Sequence, residues 1–276
     1  MPFLHGESEA IDIYYEEWGT GVPVVLVGGL TSTVETWGRQ VEALASAHRV
    51  ICPDNRGSGR TRLAADDGVR TPERFAGDVV TLLDGVGLER VHLVGASLGG
   101  MIVQEVALRH PQRLLSLTIA CSTHGGREAV PASAEVLQAL LAGSAGDASA
   151  EARRAALGVV FDPSSFAEHS QAVDFYQQTK EAWPHSAEEV ERRRQGLLTF
   201  DSRERLAGLR LPTLVLTGAG DVLIPAANSR LLAERIPGAE LALVEDAGHV
   251  FFVERPEETN RILLDFFARH PPPDGS

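Results

Sequence analysis

The chain alternates short apolar runs with longer stretches of helical spacing. Residues 24–27, 50–52, 91–95, 114–120 and 213–217 are almost wholly apolar. A strand without a polar face must be covered on both sides, which predicts a parallel sheet with helices packed on each face. Residues 37–47, 71–86, 98–110 and 226–236 supply the expected crossover helices. Thr71 is placed as an N-cap, with Pro72 at the first helical position. Residues 11–18 read as a half-buried strand, 240–244 as another strand and 250–268 as a closing helix. Between about 123 and 200 the rhythm stops. Residues 134–142, 150–160, 165–180 and 187–198 read as helices, with no buried strand among them. The expected organisation is one α/β core, residues 1–122 and 201–276, interrupted by a helical insertion, residues 123–200.

Charge narrows the function. Lys+Arg is 25 and Asp+Glu is 38, a formal charge of −13, and Lys180 is the only lysine. The longest basic run is Arg192-Arg193-Arg194, so no basic face for nucleic acid is expected. Residues 1–10 lack the basic and apolar regions of a secretory leader, and no apolar run reaches the length of a membrane span. Cys52 and Cys121 both lie in apolar runs and read as buried free thiols of a reducing compartment. These features predict a cytoplasmic protein that does not contact membrane.

The chemistry concentrates at Gly95-Ala96-Ser97-Leu98-Gly99, a G-x-S-x-G between a predicted strand and a predicted helix. A serine on so sharp a turn is strained, and glycines two residues to either side relieve the crowding. The helix that follows turns its N–H groups toward developing negative charge. A nucleophilic serine needs a base, and the base needs an orienting acid, in the chain order Ser, Asp or Glu, His. Asp221 follows the 213–217 strand and His249 follows the 240–244 strand, so both fall at carboxyl ends of parallel strands, where ligands bind in such sheets. Glu245 and Asp246 compete with Asp221, but they lie close to His249 in sequence, and Asp221 also follows a strand directly. Two N–H donors are needed for an oxyanion. Leu98, after the nucleophile, and Leu30, in the Gly28-Gly29-Leu30 loop, are the candidates. Gly29, Arg56, His124 and Trp183 are candidate substrate contacts. The histidines lack metal-ligand spacing, so neither a metal nor a cofactor is expected.

These landmarks resemble the α/β-hydrolase superfamily over nearly the whole chain. They are Gly28-Gly29, Asp54-Asn-Arg56-Gly57-Ser-Gly59-Arg-Thr61, Gly95 through Gly100, Gly220-Asp221 and Gly248-His249. Family members often carry His-Gly where this chain has Gly28-Gly29, and Ser where it has Thr61. The resemblance implies an α/β-hydrolase fold with a helical cap inserted after the sixth strand. The general pattern is also similar to bacterial 3-oxoadipate enol-lactonases and related small esterases.

A dinucleotide fold is disfavoured: Gly57-Ser-Gly59 lacks the third glycine and Gly95 lacks the second. Ser97 in place of an aspartate argues against alkyl-enzyme dehalogenase or epoxide hydrolase chemistry. The expectation is a serine hydrolase of a small carboxylic ester acting through Ser97, Asp221 and His249. Lactone hydrolysis is the alternative, and an anionic lactone would need a local cation such as Arg56 or Arg127. A reading from another class is a ligand-binding receptor of this fold with little turnover, which turnover of simple esters would separate.

Overall fold

A computed structural model of the chain describes residues 3–6, 11–64, 68, 70–144, 148–168 and 170–273. Among them are nine strands: β1 Phe3–Gly6, β2 Ile11–Trp18, β3 Val22–Val27, β4 His48–Pro53, β5 Arg62–Leu63, β6 Val91–Ala96, β7 Leu114–Ala120, β8 Thr213–Gly218 and β9 Glu240–Val244. They form one sheet in the order β1-β2-β4-β3-β6-β7-β8-β9, with β5 paired to β2. Neighbours from β4 to β9 along this order are parallel, while β1, β2 and β5 pair antiparallel. Every residue of β6, β7 and β8 is buried, as expected of strands covered on both faces.

The helices of the first half are α1 Gly38–Leu44, α2 Pro72–Gly85 and α3 Leu98–Arg109. Thr71 does cap α2, its hydroxyl accepting from Arg74 N, with Pro72 at the helix start. The insertion supplies α4 Ala134–Ser144, α5 Ala150–Val160, α6 Pro163–Glu168, α7 Ser170–Ala182 and α8 Ala187–Leu198, and the core resumes with α9 Ala226–Arg235, α10 Phe251–Glu254 and α11 Pro256–Ala268. Apolar clusters lie on both faces of the sheet. One gathers Phe75, Leu82 and Ile102, the other Leu44, Phe252 and Phe266. Each such side chain, fully buried, contributes roughly 1.5–3 kcal/mol.

Both ends of the insertion meet at a narrow neck. Gly125 bridges Asp201, Gly126 N donates to Phe200 O (3.1 Å) and Ser202 N to His124 O (2.9 Å). The insertion leaves after β7, the seventh strand in chain order, and the sixth only when two-residue β5 is set aside. Neither β1 nor β5 was expected. The helix expected over 165–180 is instead α6 and α7, and His169 lies outside the described residues. The expected 250–268 helix breaks at Arg255 (φ −129°, ψ 60°). Pro256 causes this: its ring drives the preceding residue out of the helical region.

Candidate active site

The turn from β6 into α3 holds Ser97 at φ 59° and ψ −118°. A non-glycine residue at positive φ is strained and persists only where its surroundings determine it. Hydrogen bonds to its main chain do so here: Ser97 N donates to Ala120 O (2.9 Å), and Ser97 O accepts from Ser122 Oγ (2.8 Å), Gly100 N (2.9 Å) and Met101 N (3.3 Å). The flanking glycines are required sterically. A Cβ on Gly95 would lie 2.2 Å from Gly99 O, and one on Gly99 2.1 Å from Val27 O.

His249 follows β9 and Asp221 follows β8. His249 Nδ1 donates to Asp221 Oδ2 at 2.8 Å, and both residues are buried. The other carboxylate oxygen, Oδ1, accepts from Leu223 N (2.9 Å) and Ile224 N (2.8 Å). Asp221 is therefore held by its own turn while it orients the imidazole. Glu245 and Asp246 are exposed. Asp246 serves the turn, at φ 49°, and its carbonyl accepts from Ser165 Oγ (3.1 Å). Among the described residues no hydrogen bond joins Ser97 to His249, but both line one cavity. Contacts of this kind often tighten only when substrate binds.

Gly29 brings the loop after β3 against the serine, since a Cβ there would sit 3.2 Å from Ser97 Cβ. Among the described residues, neither Leu30 N–H nor Leu98 N–H donates to another protein group. Leu98 begins α3, where such orphan donors are inherent. The cavity has a volume of about 290 Å³ and runs from Gly29, Ser97 and His249 to Tyr176 and the apolar faces of α4 and α8. Leu198, 71% exposed, and Leu137 belong to its lining. Cys121 also lines it; both cysteines are buried and free, and burial pushes their thiols up.

Of the four candidate substrate contacts, only Gly29 lines this cavity. Arg56 is 1% exposed and grips Asp78 through Nε (2.9 Å) and Nη2 (2.5 Å), which commits its guanidinium to the core. His124 sits in the neck, fully buried, with Nδ1 bonded to Gly125 O (2.7 Å). Trp183 lies on the outer surface, where Nε1 donates to Glu35 Oε1 (3.1 Å) and the ring carries Arg60. Thr61 does hydroxyl work within its loop, donating to Asp54 O (2.6 Å) and accepting from Tyr14 N (2.9 Å).

Glu254, five residues past His249, was missed. Buried, it accepts from Gly248 N (2.8 Å) and Asp162 N (2.9 Å), tying the histidine loop to the insertion. Burial raises its carboxyl above the usual range. An acid closing the apolar run 250–253 was the only signal available.

The family model for the alpha/beta hydrolase fold matches residues 22–256. A protein named putative carbamate hydrolase RutD, from Azorhizobium caulinodans, is 35% identical over 266 residues, 96% of this chain and 98% of that one. A thermophilic esterase from Thermogutta terrifontis, solved with malate bound, superposes with a TM-score of 0.81 at 28% identity, covering 95% of each chain. Est816, described as an N-acyl homoserine lactone degrading enzyme, gives 0.81 at 29%, covering 96% of this chain and 100% of that one. Sheet order, residue order and these relationships agree: the chain belongs to the α/β-hydrolase fold family and is a hydrolase.

Proposed function

We propose that the chain is a serine hydrolase that cleaves a small carboxylic ester through an acyl-enzyme, beneath a cap formed by residues 123–200. The observation that carries this reading is the 2.8 Å bond between His249 Nδ1 and Asp221 Oδ2 in a cavity that Ser97 also lines. With Nδ1 so engaged, Nε2 is the nitrogen left for proton transfer.

Ser97 Oγ attacks the ester carbonyl carbon while its proton passes to His249 Nε2. The new C–O bond displaces the π pair onto the carbonyl oxygen, which the Leu30 and Leu98 N–H groups receive. Asp221 keeps the imidazole in one tautomer and balances the imidazolium charge. As the tetrahedral adduct collapses, the bond to the alkoxy oxygen breaks and that oxygen takes the proton from His249. Water then gives a proton to His249 and attacks the acyl carbon. The acid departs and Ser97 recovers its proton.

A lactone would pass through the same steps, its alcohol remaining tethered to the acid. The lactone-degrading description of Est816 supports that second reading. The carbamate named for the RutD relatives offers an equivalent carbonyl.

The test is intact-protein mass after treatment with a fluorophosphonate, with Ser97→Ala alongside. One adduct on the wild type and none on the variant is expected. A folded wild type that takes no adduct would overturn the reading in favour of a ligand-binding protein.

A further inference from the structure

A second chamber, of about 200 Å³, adjoins the cavity at Ser97 and shares Thr31, Leu140, Val160 and Tyr176 with it. Lys180, the only lysine of the chain, lines this chamber. Its Nζ donates to Thr31 O (2.9 Å) and lies 4.5 Å from the centre of the Tyr176 ring. Among the described residues no carboxylate pairs with it.

Among the described residues, no side chain of this lining forms an ion pair with Lys180. Arg153 donates to Ala148 O (3.0 and 2.7 Å). The one carboxylate there, Glu181, accepts from Gln177 Nε2 (2.8 Å) at the exposed side. His185 bonds Ser58 Oγ (3.2 Å) and is held neutral by burial. Arg193, behind the chamber, pairs with Glu189 and adds positive charge. Withdrawing an ammonium from water without a counter-ion is unfavourable. Burial and Arg193 together pull Lys180 down to about 7.

We propose that this chamber receives a carboxylate carried by the substrate, and that Lys180 makes the enzyme select esters whose acyl chain ends in an anionic group. The inference rests on the serine-hydrolase reading and names the substrate class for it. In a chain of formal charge −13 an anionic ligand needs a local cation. Arg56 is bound to Asp78 and cannot serve, whereas Lys180 and Arg153 sit where an acyl chain crossing Thr31 and Tyr176 would end. The carboxylate would accept from Nζ in a charge-assisted bond, while the Tyr176 ring packs against the ammonium.

The experiment compares p-nitrophenyl hemi-adipate with p-nitrophenyl hexanoate, esters of equal acyl length that differ in the terminal carboxylate. The wild type should favour the hemi-adipate in kcat/KM, mainly through KM. That ratio should fall at least about tenfold in Lys180→Met, the usual scale for losing a charged partner. Lys180→Gln serves the same comparison if the Met variant does not fold. No preference in the wild type would overturn the proposal. So would an equal loss on both esters, because Lys180 would then only support the loop through Thr31 O. If the wild type hydrolyses neither ester, the ester-hydrolase reading fails and calorimetry decides this one. Monomethyl adipate binding to Ser97→Ala and lost in Ser97→Ala/Lys180→Met upholds the anion site; no binding to Ser97→Ala overturns it.

Discussion

Arg193, in the last helix of the insertion, donates through Nη1 to the carbonyl oxygen of Leu30. Nη2 reaches Arg56 O (3.0 Å) and Nε reaches Glu189 Oε1 (3.0 Å), while the side chain is completely buried. One guanidinium thus joins the proposed oxyanion loop, the loop after β4 and the insertion. Lys180 supports the next carbonyl, Thr31 O. The insertion therefore helps shape the loop that faces Ser97.

Replacing Arg193 with Met should lower both stability and activity. Breaking one side of a buried ion pair costs about 3–5 kcal/mol, and Glu189 keeps Arg70 as a second partner, so the low end applies. Urea unfolding measures the stability change. A midpoint equal to that of the wild type would show that the guanidinium is not needed to hold the loops together.

Asp221→Asn should keep the fold and lose catalysis. An Asn Oδ1 can still accept from Leu223 and Ile224 N–H. Its amide would donate toward His249 Nδ1 and impose the wrong tautomer, a loss of about 10⁴ in kcat where this has been isolated. Steady-state ester hydrolysis, with a circular-dichroism spectrum as control, checks it. Retained activity would move the acid role elsewhere.

Gly29→Ala should act on rate more than on folding. The added methyl would meet Ser97 Cβ at 3.2 Å and Ala96 O at 3.3 Å, so the loop must shift by a few tenths of an ångström. Small displacements of positioned groups cost up to about a hundredfold, and a ten- to hundredfold drop in kcat is expected. Gly99→Ala differs: its Cβ would fall 2.1 Å from Val27 O, a backbone atom, and expression of soluble protein should fail.

Acid should weaken the fold through His92. The ring is 1% exposed, bonded to Ser116 Oγ (2.8 Å) and stacked on Phe267 (4.6 Å between centres). Burial, helped by His48 and His270, lowers its pKa from 6.5 to about 3. The unfolded chain binds this proton below 6.5 and the native chain does not until about 3, so the contribution is complete above 6.5 and declines as pH falls. The slope is at most about 1.4 kcal/mol per pH unit in that window. Denaturant midpoints between pH 7 and 4 measure it, and His92→Phe should flatten the slope.

Much of the architecture was legible because it is local. Strands buried on both faces announce themselves as short apolar runs, and Thr71-Pro72 marks a helix start by its own chemistry. Gly95, Ser97 and Gly99 are legible for the same reason: the strain and its relief lie within five residues. Asp221 and His249 could be chosen because the strands that precede them are legible, and strand ends converge on one edge of a parallel sheet. Tertiary structure alone decided the partners. Arg56 had no sequence mark separating a cleft residue from one locked on Asp78, 22 positions away. Glu254 and Asp162 are 92 positions apart, and Lys180 and Thr31 are 149. No periodicity relates such pairs; they meet because the insertion folds back over the sheet edge, where a buried charge must find an acceptor or remain unpaired.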